Sequence, residues 1–303
     1  MQPRTIPMDW ETFRKTAAPF SIALDGFVSG GPELDTAGPF INLNHHDGVK
    51  RLETRATCAQ VRIRLILKLF RTFRDKYGPR AIVCVNDCDE DVCLSWFQLN
   101  HYELATQTIN PMLNRLVTVE DMMDTTAGAF PYPEDLEMMH ELAWIFEPYR
   151  QFRVSGGLDR RDAGAFVSVV TDVENRIMRH ITGRGERLPL DTRFERIGEG
   201  TGWTMVHEIG AQSRQGMFAA GIEAFHSVRE RPDGRYVHTL GRQSDTIPFP
   251  LQRLCARLNQ EEVCGEDVWG GGDMIIGSPR VSGSGLRPDQ VAEIIEDELQ
   301  KSV

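Results

Sequence analysis

Three short apolar runs each break off into carboxylates, and this pattern constrains the fold more than any other feature of the chain. They are SIALDGFVSGG at 21–31, AIVCVNDCDED at 81–91 and RLVTVEDMMDTTAG at 115–128. Short apolar runs bounded by turn residues read as buried strands. Helical periodicity separates them, over ATCAQVRIRLILKLFRTFRDKYG (56–78), ending at Gly78, and over VCLSWFQLNHYELA (92–105). Strands alternating with helices imply a parallel sheet, and ligands of such sheets sit beyond the C-terminal strand ends. The expected fold is therefore α/β. Asp25, the trio Asp87, Asp89 and Asp91, and the pair Asp121 and Asp124 are expected along one sheet edge.

At 303 residues the chain exceeds what one core usually holds. We expect an α/β domain over 1–133, a helical linker over 134–194 and a smaller mixed α/β domain over 195–303. The linker carries one helix over 134–153, interrupted near Pro148, and a second over 159–183. In the last domain, WTMVHEI and GMFAAGIEAF read as strands, and HSVRERPDGRYVHTL reads as a hairpin turning at Asp233-Gly234. PLQRLCARLNQEE and PDQVAEIIEDELQK read as helices, the second opened by Pro288. The glycine-rich stretch VWGGGDMIIGSPRVSGSGL between them reads as a loop.

The net charge of −10 argues against tight, unspecific binding to long duplex nucleic acid, which needs a broad basic face. It permits a small phosphorylated ligand held by a few arginines. The six cysteines, Cys58, Cys84, Cys88, Cys93, Cys255 and Cys264, lack the paired spacing of a zinc knuckle and read as reduced. No apolar run approaches the roughly 20 residues of a membrane span. The N-terminus lacks a signal-peptide core, so a cytoplasmic protein is expected.

Asp87, Asp89 and Asp91 alternate, so an extended backbone would put all three on one face. Carboxylates crowded in low dielectric repel, and a divalent cation removes that cost. Magnesium and manganese favour oxygen ligands, and manganese also accepts imidazole. Asp25, Asp124 and the adjacent His45 and His46 are the natural partners from neighbouring segments. The remaining histidines read as ordinary. His207, in VHEI, is no zinc motif, because Ala211 stands where the second histidine is needed.

These residues resemble the motifs of the DHH phosphoesterases. Asp89-Glu-Asp91-Val-Cys-Leu-Ser95 is similar to that family's Asp-x-Asp strand end, and Asp87 to an extra upstream aspartate of its exonuclease branch. Asn44-His45-His46 resembles the Asp-His-His motif, Asp25 the separate aspartate, and Asp124-Thr-Thr-Ala-Gly128 the last motif. In the C-terminal half, Arg242-Gln243-Ser244 and Gly270-Gly271-Gly272-Asp273 look like the family's Arg-Ser element and Gly-Gly-Gly-His loop. The resemblance implies two divalent cations, Mn2+ or Mg2+, sharing Asp25, with Asp89 on one and Asp91, His45 and Asp124 on the other. It implies hydrolysis of a phosphate ester or anhydride at the cleft between the domains. His46 then contacts a phosphate oxygen or protonates the leaving group. Arg242, Ser244, Gly270, Gly271, Gly272, Asp273 and Arg280 hold the substrate, a small phosphorylated molecule or short oligonucleotide. A homodimer is compatible with all of this.

Three departures stand out. The histidine motif precedes the Asp-x-Asp motif, the reverse of the family order, as a circular permutation would produce. Asn44 replaces an aspartate, and Asp273 replaces a histidine. The last two define the alternative, a non-catalytic nucleotide sensor or scaffold of the same fold. A third reading is an unrelated α/β protein with a structural metal site.

Overall fold

The computed structural model describes residues 1–106, 110–263 and 265–301. The chain is an α/β protein that divides into two compact units. The first holds Met1–Thr125 and Tyr132–Leu190, the second Thr126–Pro131 and Asp191–Val303.

In the first unit the strands Phe40–Leu43, Ser21–Leu24 and Ile82–Cys84 run parallel, with Ser21–Leu24 in the middle. Glu33–Asp35 pairs antiparallel at the outer edge of Phe40–Leu43. Ser21–Leu24 and Phe40–Leu43 are buried at every position, as strands covered on both faces are. Alternation assigns the faces. Ile22, Leu24, Ile41 and Leu43 enter a large core with Val61, Leu65, Phe97, Leu116 and Phe146. Ala23 and Phe40 enter a small one with Phe13, Phe27 and Val28. The helices Glu137–Ile145, Glu147–Val154 and Ala163–Ile181 also feed the large core, so most of the segment read as a linker packs into the first unit. The break between the first two follows Phe146, and Pro148 sits in the first turn of the second.

The structure corrects two local readings. Residues 115–124 form no strand: they lie in the helix Pro111–Thr125. Val117 and Val119 favour strands locally, but the buried residues Leu113, Leu116, Val117, Glu120 and Asp121 recur at helical spacing. One helix face thus carries apolar residues at its start and carboxylates towards its end. The long helix expected to reach Gly78 instead stops at Ile66. Val61, Leu65, Leu69 and Phe73 are all buried at four-residue spacing, which mimics one helix. The backbone breaks at Lys68, whose φ is 73°, and a 3-10 turn delivers Leu69.

The second unit is built on a six-stranded sheet in the order Gly270–Gly271, Ile275–Gly277, Tyr236–Arg242, Ala224–Glu230, Trp203–Glu208, Phe194–Gly200. Only the Trp203–Glu208 and Ala224–Glu230 pair is parallel. The hairpin at Asp233-Gly234 forms as expected, with Gly234 at φ 77°. GMFAAGIEAF divides into the end of the helix Ser213–Ala219 and the start of a strand. The glycine-rich stretch holds the two shortest strands of this sheet. Leu254 and Leu258 of Leu251–Glu261, and Val291 and Ile295 of Pro288–Gln300, pack around Trp203, Leu240 and Trp269.

Five cysteines are free thiols, and Cys264 lies outside the described residues. Among the described residues, no helix is long and apolar enough to cross a membrane.

Glu262 ties the second unit together. Its carboxylate accepts from Trp269 Nε1 at 3.0 Å, Ser284 Oγ at 2.6 Å and Arg235 Nη2 at 3.1 Å. Burial alone would raise its pKa. The bonds from Ser284, Gly285 and Trp269 and the nearby Arg235 charge outweigh it, and the group sits below the ordinary 4.5. The folded carboxyl therefore binds its proton more weakly than the unfolded one. Its contribution is full above about pH 4.5 and is lost as pH falls below that value. Glu262→Gln should lower stability at pH 7 by about 2 kcal/mol, and the gap to wild type should shrink towards pH 3. Denaturant melts across that range measure both.

Candidate metal centre

Three parallel strands end on the same sheet edge, and their exits build the site. Asp25 follows Ser21–Leu24 directly, held in register by its N–H to Leu43 O at 2.9 Å. Its φ is 51°, followed by Gly26 at 77°. A non-glycine residue in the left-handed region stores strain of about 1 kcal/mol or more, a cost that clusters at functional sites. Asn44, His45 and His46 follow Phe40–Leu43. The exit from Ile82–Cys84 runs through Asp87 into the helix Glu90–Asn100. Asp124 arrives separately, near the end of Pro111–Thr125.

Five of these side chains converge. His45 Nε2 lies 2.9 Å from Asp124 Oδ2, 3.5 Å from Asp25 Oδ1 and 3.6 Å from Asp91 Oδ2. His46 Nε2 lies 2.7 Å from Asp25 Oδ1. Two overlapping ligand sets result: Asp25, His45 and His46, and Asp25, His45, Asp91 and Asp124. Within each, the ligand atoms all lie within 4.8 Å of one another. The Asp25, His45, His46, Asp91 and Asp124 cluster could bind metal ions.

The surroundings prepare these groups. Asp91 accepts the N–H of Thr57 at 2.7 Å and of Cys58 at 2.6 Å, at the start of the helix Thr57–Ile66. Asp121 accepts the preceding Ala56 N–H at 2.8 Å. A helix N-terminus favours anions there. Arg51 is buried and clamps Asp124, giving Nη2 to its carboxylate and to its backbone oxygen, both at 2.8 Å. Its Nη1 reaches His46 Nδ1 at 3.0 Å. That donation makes Nδ1 an acceptor and leaves the ring proton on Nε2, facing Asp25.

The charge balance favours a cation. Burial and then the carboxylates Asp25, Asp87 and Asp124 push the Asp89 pKa well up. Burial, Asp124 and Asp25 do the same to Asp91. Burial also acts to raise Asp25 and Asp124 but is outweighed, by the two histidines at Asp25 and by His45 and Arg51 at Asp124, and both end below the ordinary range. Burial disfavours the charged ring of His45, yet Asp124 and Asp25 raise its pKa to about 9. Burial keeps His46 below its usual value against the pull of Asp25. The geometry tests the fit. His45 Nε2 and Asp124 Oδ2 are both buried and approach to 2.9 Å, yet among the described residues neither makes an aligned hydrogen bond. Orphaned buried polar atoms are costly and rare. A cation bound here would take the place of the proton that His45 otherwise holds beside Asp124, as metal binding releases protons from its ligands.

Other predicted residues go elsewhere. The expectation that Asp87, Asp89 and Asp91 share an extended face is corrected, because the chain turns into a helix within the trio. Asp89 caps that helix through Val92 N–H at 3.0 Å. Asp87 accepts Cys88 N–H at 2.8 Å and pairs with Arg4 at 3.2 Å. Neither belongs to the two ligand sets. Asn44 is fully buried. Its amide gives hydrogen bonds to Gly30 O at 2.8 Å and Asp47 Oδ1 at 2.7 Å, and its oxygen accepts His46 N–H at 3.0 Å. It braces the histidine turn rather than meeting the ligands.

In the second unit, Arg242 gives Nε to Asp273 O at 2.9 Å and Nη1 to the carbonyls of Asp245 and Ile247 at 3.0 Å each. Ser244 bonds within its own turn. Gly270 and Gly271 pair with Gly277 and Ile276. Gly271 has φ 140°, and a Cβ there would strike the Ile275 carbonyl. Gly272 N–H goes to Ile275 O at 2.9 Å. Arg280 is exposed.

Sequence reasoning missed Arg51 and Thr57. Arg51 stands five residues after His46, so proximity alone was a signal. Thr57, whose hydroxyl gives a 3.2 Å hydrogen bond to Asp25 Oδ1, had none.

Titration of the full chain with Mn2+ should show saturable binding and a raised melting temperature, about 2.7 kcal/mol of stabilisation at one hundred times Kd. Asp25→Asn and Asp124→Asn should each abolish it, while Asp87→Asn should leave it intact. Equal loss in Asp87→Asn would overturn the ligand assignment.

No protein-family model, no curated protein and no solved structure matches this chain, so what the centre does has to be read from its own geometry.

Proposed function

We propose that the protein is a divalent-metal-dependent phosphoesterase acting on a small phosphorylated molecule or short oligonucleotide. The observation that carries this reading is the convergence of Asp25, His45, Asp91 and Asp124, whose ligand atoms all lie within 4.8 Å of one another. Asp25 is the carboxylate among them that could bridge a pair of closely spaced ions. The resemblance of Asp89-Glu-Asp91, Asn44-His45-His46 and Asp124 to DHH phosphoesterase motifs supports the same class.

Asp25, His45, Asp91 and Asp124 would hold Mn2+ or Mg2+. When bound, the ions supply an activated water at neutral pH and charge stabilisation at phosphorus. The chain's own groups do the rest. Arg51 fixes the His46 tautomer, so Nε2 carries a proton at the mouth of the carboxylate cluster. The His46 side chain is about one-quarter exposed, against none for His45. It is therefore the histidine able to meet a substrate oxygen, and proton donation to a leaving oxygen suits it. Thr57 and the helix amides keep Asp25 and Asp91 in place while charge redistributes.

One observation favours the alternative, a nucleotide sensor of the same fold. Three of the hydrogen bonds that the Arg242 guanidinium makes go to backbone carbonyls, so much of its donor capacity serves its own loop.

Hydrolysis of bis(p-nitrophenyl) phosphate and of a 5′-phosphorylated dinucleotide, with Mn2+, separates the two. The phosphoesterase reading expects turnover that vanishes in Asp25→Asn and falls about 100-fold or more in His46→Gln, with Mn2+ binding retained in the latter. Binding of the dinucleotide without turnover would establish the sensor.

A further inference from the structure

The outer face of the helix Thr57–Ile66 and the turn after it carry an unusual surface. The helix buries Cys58, Val61, Arg62 and Leu65. A surface helix normally turns polar groups the other way. Here the outward positions hold Ile63, Ile66 and, directly after the helix, Leu67, which is 72% exposed. Their spacing of three and four residues puts them on one side. Leu69 and Phe73 then anchor the turn in the core, and Lys68, Arg71 and Arg74 are left exposed. The short hairpin of Arg74–Asp75 and Gly78–Pro79 carries Lys76 and Tyr77 at its tip, and Tyr77 is 86% exposed.

Charge is segregated here as well. Residues 62–80 hold seven lysines and arginines and one acid, Asp75, and Arg80 takes that acid at 3.0 Å. Among the described residues, Lys68, Arg71, Arg74 and Lys76 make no ion pair. The chain as a whole has a net charge of −10, so the excess of cations is local. Such a patch calls for an anionic partner, and the apolar side chains say which. A single-stranded nucleic acid offers base faces, which stack on aromatic rings and guanidinium planes. Ile63, Ile66 and Leu67 gain little from those, and Tyr77 already has the Lys76 ammonium 4.9 Å from its ring centre. A bilayer with anionic headgroups offers acyl chains to the aliphatic residues, charge to the lysines and arginines, and the interface to a tyrosine. An acidic chain would meet that surface by this patch and be repelled elsewhere, which fixes its orientation.

We propose that this face docks the protein peripherally on an anionic lipid bilayer, with Ile63, Ile66, Leu67 and Tyr77 in the headgroup layer and Lys68, Arg71, Arg74 and Lys76 against the lipid charges. The contact requires no spanning segment and does not rest on the phosphoesterase reading.

The test is flotation of the full chain with vesicles, either phosphatidylcholine alone or with about one-third phosphatidylserine. The expected result is binding at least about tenfold tighter to the vesicles that contain phosphatidylserine, weakening as salt is added. The double variant Arg71→Gln/Arg74→Gln should weaken it roughly 30-fold, and Leu67→Gln roughly tenfold. These side chains are exposed, so the variants should keep the fold, which a thermal melt checks. If a variant does not fold, the wild-type comparison of the two vesicles decides alone. Asp25→Asn should float as wild type does. Loss of flotation there would mean that lipid phosphate is held at the metal centre, and would overturn the proposal. Equal binding to both vesicles, or binding to neither, overturns it as well. Saturable binding of a single-stranded oligonucleotide through Arg71 and Arg74, without flotation, assigns the patch to nucleic acid and overturns it too.

Discussion

The first unit is organised around a crowd of buried carboxylates. Asp25, Asp91 and Asp124 meet around one imidazole, with Asp89 and Asp121 close behind. Desolvating so many like charges would ordinarily empty such a place of acids. The chain keeps them by placing fixed donors against each one. Backbone amides at the start of Thr57–Ile66 serve Asp91 and Asp121, Arg51 serves Asp124, and the histidines serve Asp25. These donors orient the oxygen atoms but leave His45 Nε2 and Asp124 Oδ2 facing one another without an aligned bond. The arrangement is one that could hold a metal ion.

The surrounding fold reads as support for that geometry. The parallel strands place three chain exits side by side, and full burial of two of them leaves little freedom to shift. Asn44 and Asp47 tie the histidine turn to Gly30, so the rings are set by a network and not by chance rotamers. Asp25 bears a left-handed φ in exchange for its central position. A left-handed φ at Asp25 and the unpaired atoms of His45 and Asp124 thus meet at one centre, as expected of a functional site.

The two units differ in how they use polar residues. In the second, Arg242, Glu262 and Asp267 are spent on loop carbonyls and amides, which makes them structural ties. The glycines at 270–272 allow close approach of two short strands. A motif such as Gly-Gly-Gly-Asp therefore has a sufficient architectural reason here, whatever else it does.

Much of the centre was legible beforehand. An apolar run that ends in an acid marks a strand exit, because only a sheet edge gives buried strands polar neighbours. That logic placed Asp25 at its strand exit, while the strand Phe40–Leu43, which leads to His45 and His46, was not among the runs it read. It failed for Asp124, whose β-branched neighbours hid a helix, and for Asp87 and Asp89, because alternation carries meaning only while the backbone stays extended. The sequence by itself determined the α/β class, the strand exit at Asp25 and the kinds of side chain on offer as ligands, since hydrophobic periodicity and side-chain chemistry are local properties. Only the tertiary structure decided which carboxylates face one another and which are neutralised. It also brought in Arg51 and Thr57, because these pairings depend on packing between segments far apart in the chain.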